Sequence, residues 1–154
     1  MHIARIKSYL FLMFMISGFH TFAQQKGKSG LKKPVLISYW GNTKGGNLSL
    51  DKALELVDSS IIVSNDKKEK MQVARFFIHY KSLDNFEDEK TGNILQRYNS
   101  DGEYIRESNI LTEYWRKYIY ESLKRGDEII ITELYIRDKE GFLFLAPDIK
   151  ISVK

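Results

Sequence analysis

From Pro34 onward the chain alternates apolar and polar positions in short runs, and the runs predict a series of strands. Pro34 opens a strand over residues 35–40, and residues 41–47 (GNTKGGN) form a loop. Ser49 is placed to cap a short helical turn over residues 50–54, with Asp51 complementing its dipole. A β-branched strand over 57–63 and a charged turn over 65–69 come next. In residues 71–80 (MQVARFFIHY) one face carries Ala74, Phe76, Ile78 and Tyr80, and the other carries Val73, Arg75, Phe77 and His79. An acidic loop over 84–89 then leads to a hairpin, with strands at 94–98 and 103–107 around a turn at Asn99-Ser100-Asp101-Gly102.

At Leu111 the period changes to that of a helix. Leu111, Trp115, Ile119 and Leu123 recur at fourfold spacing, and Tyr114 and Tyr118 broaden the stripe. Thr112 fits the N-cap, Lys124 and Arg125 suit the last turn, and Gly126 fits the left-handed stop. Residues 128–137 (EIIITELYIR) carry the strongest strand signal, followed by a turn at 138–141 and a strand at 142–146. The chain closes on Ile149, Ile151 and Val153, which alternate with Lys150, Ser152 and Lys154. About seven strands and one helix read as an all-β or β-rich α+β fold. A β-sandwich with a connecting helix near the C-terminus is expected, and a single-sheet α+β fold is its rival.

The first 33 residues have no such pattern. Arg5 and Lys7 precede an apolar run at residues 9–16 and a small-residue motif ending at Ala23, which together read as a signal peptide over residues 1–23. The apolar run breaks at Ser17-Gly18 and His20, short of the roughly 20 residues a membrane span needs. No Cys follows it to carry a lipid. Residues 24–33 (QQKGKSGLKK) read as a flexible tether, leaving one domain over residues 34–154 in a periplasmic or secreted protein with no transmembrane segment after cleavage.

Charge narrows the partners. Of 24 basic and 20 acidic side chains, removing residues 1–23 takes away two basic ones, so 22 face 20 and the net charge is +2. That balance favours neither nucleic acid nor a membrane surface. There is no Cys, so packing rather than disulfides must hold the fold.

The order of motifs toward the C-terminus carries a resemblance. Lys124-Arg125-Gly126, the strand from Ile129 to Ile136, the turn from Asp138 to Gly141 and the closing alternation Ile149 to Val153 resemble the C-terminal region of the gliding motility GldM family. Upstream, Pro34 to Trp40, Gly45-Gly46, the Ser49 turn and Phe76-Phe77-Ile78 resemble the preceding segment of the same family. The resemblance implies an immunoglobulin-like β-sandwich in the periplasm of gliding Bacteroidota, acting by protein contacts in type IX secretion and gliding machinery. Full-length members are longer and carry an N-terminal membrane helix, so this chain departs from the pattern and is expected to be a detached relative.

Catalytic chemistry is sparse. Past residue 23 His79 is the sole histidine, which leaves no multi-His or Cys/His metal site and no cofactor to expect. No G-x-S-x-G presents a nucleophile, and His79 reads as a sheet residue. Asp84, Glu87, Asp88 and Glu89 lack the EF-hand order and read as a solvated loop. Asp101, Glu103, Asp138 and Glu140 lie beside glycines and read as turn residues rather than a glycosidase pair. Residues 41–46 lack the P-loop ending.

Aromatic residues are the one excess. Trp40, Tyr114, Tyr118 and Tyr120, with Arg116 and Lys117 as a polar rim, form the expected interaction surface, while Trp115 reads as core. The function expected is a non-enzymatic module that binds envelope or periplasmic proteins or a second copy of itself. A carbohydrate-binding or carbohydrate-degrading module using Trp40 and the tyrosines as a stacking platform is the alternative, and a secreted regulator leaves no mark of its own.

Overall fold

A computed structural model describes residues 34–154, so the signal peptide and tether expected over residues 1–33 lie outside the described residues. Eight strands and two helices follow one another as β1 (Leu36–Trp40), β2 (Gly46–Leu48), α1 (Leu50–Val57), β3 (Ile61–Asn65), β4 (Lys70–Glu87), β5 (Ile94–Arg106), α2 (Glu113–Ser122), β6 (Glu128–Arg137), β7 (Leu143–Leu145) and β8 (Ile149–Val153). The β-rich expectation holds, with two short helices rather than one. Pairing runs along one path, β1-β3-β4-β6-β8-β2, with β5 added to β4 and β7 to β6. The immunoglobulin-like arrangement is not among the features this pairing defines.

The long strand β4 is the spine. Its start pairs with β3 through Met71 and Lys70, and the same edge then takes β5 from Arg75 to Glu87, while the opposite edge takes β6. Register shifts between Val73 and Phe77 turn Val73 inward beside Ala74, which is why both sides of the predicted alternation are buried there. Beyond the bulge the period is regular. Phe76, Ile78 and Tyr80 point into the core with Ile129, Ile131, Leu134, Ile149 and Ile151 of the neighbouring strands.

Both helices cover that face. Leu111, Trp115, Ile119 and Leu123 are all buried, as the fourfold spacing predicts, and the Thr112 hydroxyl accepts from the Trp115 N–H at 3.4 Å as an N-cap. Gly126 does take a positive φ of 93°, but in the turn beyond the helix, which itself ends at Ser122. α1 runs further than expected: Ala53, Leu56 and Val57 share its buried side, so Val57 belongs to the helix and the next strand starts at Ile61. Ser49 occupies the N-cap position without a side-chain hydrogen bond.

Two strands depart from the sequence reading. β5 is continuous through Asn99-Ser100-Asp101-Gly102, and the hairpin turn lies ten residues earlier, between Glu87 and Ile94. Gly102 is there for space: a Cβ on it would fall 2.4 Å from the Phe77 ring that packs over the strand. The expected acidic loop is thus partly strand, with Asp84 and Glu87 on β4, and Asp88 accepts from the Thr91 and Lys90 N–H groups in the turn. β2 begins inside the predicted glycine loop of residues 41–47, runs on to Leu48 and pairs in parallel with β8. Gly45 allows this, since a Cβ would stand 2.6 Å from the Lys150 carbonyl oxygen and its φ is 116°.

One buried carboxylate ties these parts together. Asp127, with no exposed surface, accepts from the Tyr80 hydroxyl at 2.6 Å, the Leu83 N–H at 2.8 Å and the Lys124 N–H at 3.0 Å. It thereby fixes β4 to the turn between α2 and β6. Asp127→Ala leaves these donors without an acceptor and is expected to cost roughly 3 kcal/mol. A melting temperature lowered by on the order of 10 °C in calorimetry is the expected reading, with Tyr80→Phe showing a smaller loss.

Candidate functional site

The α2 residues singled out for contact do not form one patch. At roughly 100° per residue, Tyr114 and Tyr118 fall on one flank of the helix, Arg116 and Tyr120 on the other, and Lys117 on the crest between them.

The first flank leans on β5. The Tyr118 hydroxyl donates to Asp101 at 2.8 Å and its ring meets that of Tyr80 edge to face at 5.5 Å. Tyr114 stacks parallel to Tyr118 with centroids 6.1 Å apart and is 66 % exposed. Beneath them the Trp115 indole N–H donates to Glu103 at 2.7 Å. Asp101 and Glu103 are therefore strand residues holding the helix down, not turn residues. Asp138 does sit in a turn, its carboxylate accepting from the Glu140 and Phe142 N–H groups.

The second flank leans on α1. Asp58, at the C-terminus of α1, accepts from the Tyr120 hydroxyl at 2.7 Å and from Arg116 at 3.4 Å. Lys117 projects into solvent and approaches Glu121 at 3.9 Å.

Trp40 must be removed from the surface. It has no exposed area, packs in the core, and donates its indole N–H to the Ser59 carbonyl at 3.1 Å. Its position at an inward register of β1 leaves no face for a ligand, and a sugar-stacking platform loses the residue on which it was centred.

A second aromatic group lies on the opposite face of the sheet, and sequence reasoning passed over it as the mixed side of β4. Phe77 stands 4.4 Å from the His79 ring and 4.7 Å, edge to face, from Tyr104. The Arg75 guanidinium lies 4.5 Å from the Tyr135 ring centroid and 5.8 Å from that of Tyr104. Tyr104 donates to Glu133 at 2.6 Å, and His79 Nε2 lies 3.1 Å from the Thr132 hydroxyl oxygen. The signal was present in the sequence as three aromatic rings and an arginine at alternate positions of strands.

Among the described residues no group of three or more His, Cys, Asp or Glu side chains is placed to hold a metal ion. Nor is any described helix long and apolar enough to cross a membrane. No family model matches the chain, and no curated protein matches it.

The tyrosines carry an electrostatic signature. Burial, then the hydrogen bond to Asp127, pushes the Tyr80 phenol well above its usual value. Hydrogen bonds to Glu133, Asp101 and Asp58 raise Tyr104, Tyr118 and Tyr120 respectively. A phenol whose folded value is raised keeps its proton when the unfolded chain would lose it, so stability is intact below about pH 10 and declines as pH rises beyond it. Alkaline titration followed by phenolate absorbance and circular dichroism is expected to show delayed ionisation coupled to unfolding. Tyr80→Phe is expected to flatten that decline. Phenolates forming near the ordinary value with the fold intact would contradict it.

Proposed function

We propose that the chain is a non-enzymatic protein-interaction module of the cell envelope, engaging its partner through the exposed tyrosines of α2. The observation that carries this reading is Tyr114, 66 % exposed on a ring stack whose lower member, Tyr118, is fixed by Asp101. A large aromatic surface already held in place loses little side-chain freedom on binding, the property that concentrates interface energy in Tyr and Trp. Lys117 and Arg116 supply the polar rim.

The envelope location rests on the signal-like pattern of residues 1–23. An immunoglobulin-like fold serving type IX secretion or gliding machinery rests on the order of sequence motifs from Pro34 to Val153 alone and is the narrower form of the proposal. The glycan-binding reading retains only the α2 tyrosines, since Trp40 is buried.

Incorporating a photo-reactive phenylalanine at position 114 in the native host is expected to yield a discrete protein adduct. Tyr114→Ala is expected to weaken binding of that partner by about 2 kcal/mol, roughly 30-fold, with the melting temperature unchanged. Absence of an adduct at positions 114, 117 and 120, together with binding to a glycan array, would reverse the assignment.

A further inference from the structure

β5 is a 13-residue strand whose inner edge is paired with β4 throughout, while no other described strand pairs with its outer edge. At a strand rise of about 3.4 Å that leaves roughly 40 Å of open edge. Edges this long are ordinarily blunted by Pro, by bulges, by covering segments or by charged side chains, and of these β5 has only the charges of Arg97, Asp101, Glu103 and Arg106. β5 contains no Pro, its pairing with β4 is free of register shifts, and of its residues only Ile105 is buried.

The hydrogen-bond phase identifies which groups face outward. The Asp88 N–H donates to the Asn93 carbonyl and the Glu107 N–H to the Ala74 carbonyl, at the two ends of the same register. Odd-numbered residues of β5 therefore spend their backbone groups on β4. Even-numbered residues, from Ile94 to Arg106, present theirs to the open edge.

We propose that this edge pairs with β5 of a second copy of the chain, antiparallel about a two-fold axis through Ser100. The inference goes beyond the α2 reading and does not depend on it. A two-fold between identical antiparallel edges stands perpendicular to the sheet, so facing residues share a face and the axis must pass through a residue rather than between two. Only a few registers are then open, and side chains choose among them.

With the axis at Ser100, Arg97 faces Glu103 of the other copy, and the pair occurs twice. Asn99 faces Asp101, Leu95 faces Ile105, and Tyr98 faces Gly102, over which the Phe77 ring already packs. An axis at Asp101 would set Asp101 against itself. One at Gly102 would set Asp101 against Glu103, and one at Asn99 would set Arg97 against Asp101 but Leu95 against Glu103. Like charges directly opposite destabilise a strand pair and opposite charges stabilise it, and only the Ser100 register joins an opposite-charge pair to an apolar Leu95–Ile105 pair, so it is favoured over its neighbours. The pairing also covers Leu95, which is 44 % exposed in the single chain.

Sedimentation of the purified chain over a concentration series is expected to show a monomer–dimer equilibrium. Ser100→Pro removes the outward N–H at the axis, a substitution an edge strand tolerates. It is expected to give a monomer with an unchanged circular dichroism spectrum. Arg97→Glu turns both charge pairs repulsive and is expected to weaken association on the order of tenfold. Because the chain has no Cys, Ser100→Cys under mild oxidation reports the register directly. The paired Cα atoms would stand about 5.5 Å apart, within disulfide reach, whereas Tyr98→Cys places its like pair too far apart to close. A covalent dimer from position 100 and none from position 98 is the expected result. A chain that stays monomeric at high micromolar concentration, or a dimer that survives Ser100→Pro, overturns the proposal and leaves the edge to a strand of another protein.

Discussion

The Asp127 carboxylate is the constraint on which the remaining architecture leans. Its acceptor oxygens are fully enclosed and reached by the Tyr80 hydroxyl and the N–H groups of Leu83 and Lys124. Those donors belong to the middle of β4 and to the turn leaving α2, so one side chain fixes where the helix ends relative to the spine strand. Nearby, Lys124 also reaches Asp84 at 2.6 Å, an exposed pair that adds little to stability by itself but keeps the turn on the same strand. Once β4 and the turn are joined, the Leu111 stripe of α2 has one way to lie on the sheet, and Tyr118 is brought to Asp101.

That dependence explains which parts of the fold were legible beforehand. α2 and β8 are amphipathic in a single period and bury the residues the period selects, so local pattern and tertiary demand agree, whereas β6 changes its buried parity at Glu133, from Ile129 and Ile131 to Leu134 and Ile136. β5 is different. Asn99-Ser100-Asp101-Gly102 carries the composition of a turn, yet the strand continues because Gly102 opens space for the Phe77 ring and Asp101 is held by Tyr118. Both causes are tertiary and cannot be read along the chain. β2 escaped notice for a related reason: three residues among glycines become a strand only because β8 passes within reach of Gly45.

The candidate surface was legible in part. The period of α2 separates Trp115 from Tyr114 and Tyr120, and their exposure follows it. What spacing does not reveal is the distant carboxylate each hydroxyl finds, Asp101 from β5 and Asp58 from α1, which divides the tyrosines into two flanks. Trp40 was misplaced because a Trp next to a glycine loop looks exposed by composition, whereas the alternation of its own strand already set it inward with Leu36 and Ser38. The cluster of Phe77, Tyr104 and Tyr135 needed strand register to bring it together, and register is a long-range property.

The parallel seat of β2 against β8 has a kinetic meaning. The Lys154 N–H donates to the Leu48 carbonyl, so the residue following β8 hydrogen-bonds to the segment just before α1. β1 can find β3 early, but β2 has no partner until Val153 has emerged and β6 is in place to receive β8. Closure at such sequence separation carries its entropy cost before any reward. Seating β2 is therefore tied to seating β8, and a chain in which β8 cannot pair would leave β2 without its partner and bare the stretch of β6 from Glu128 to Ile131 at once.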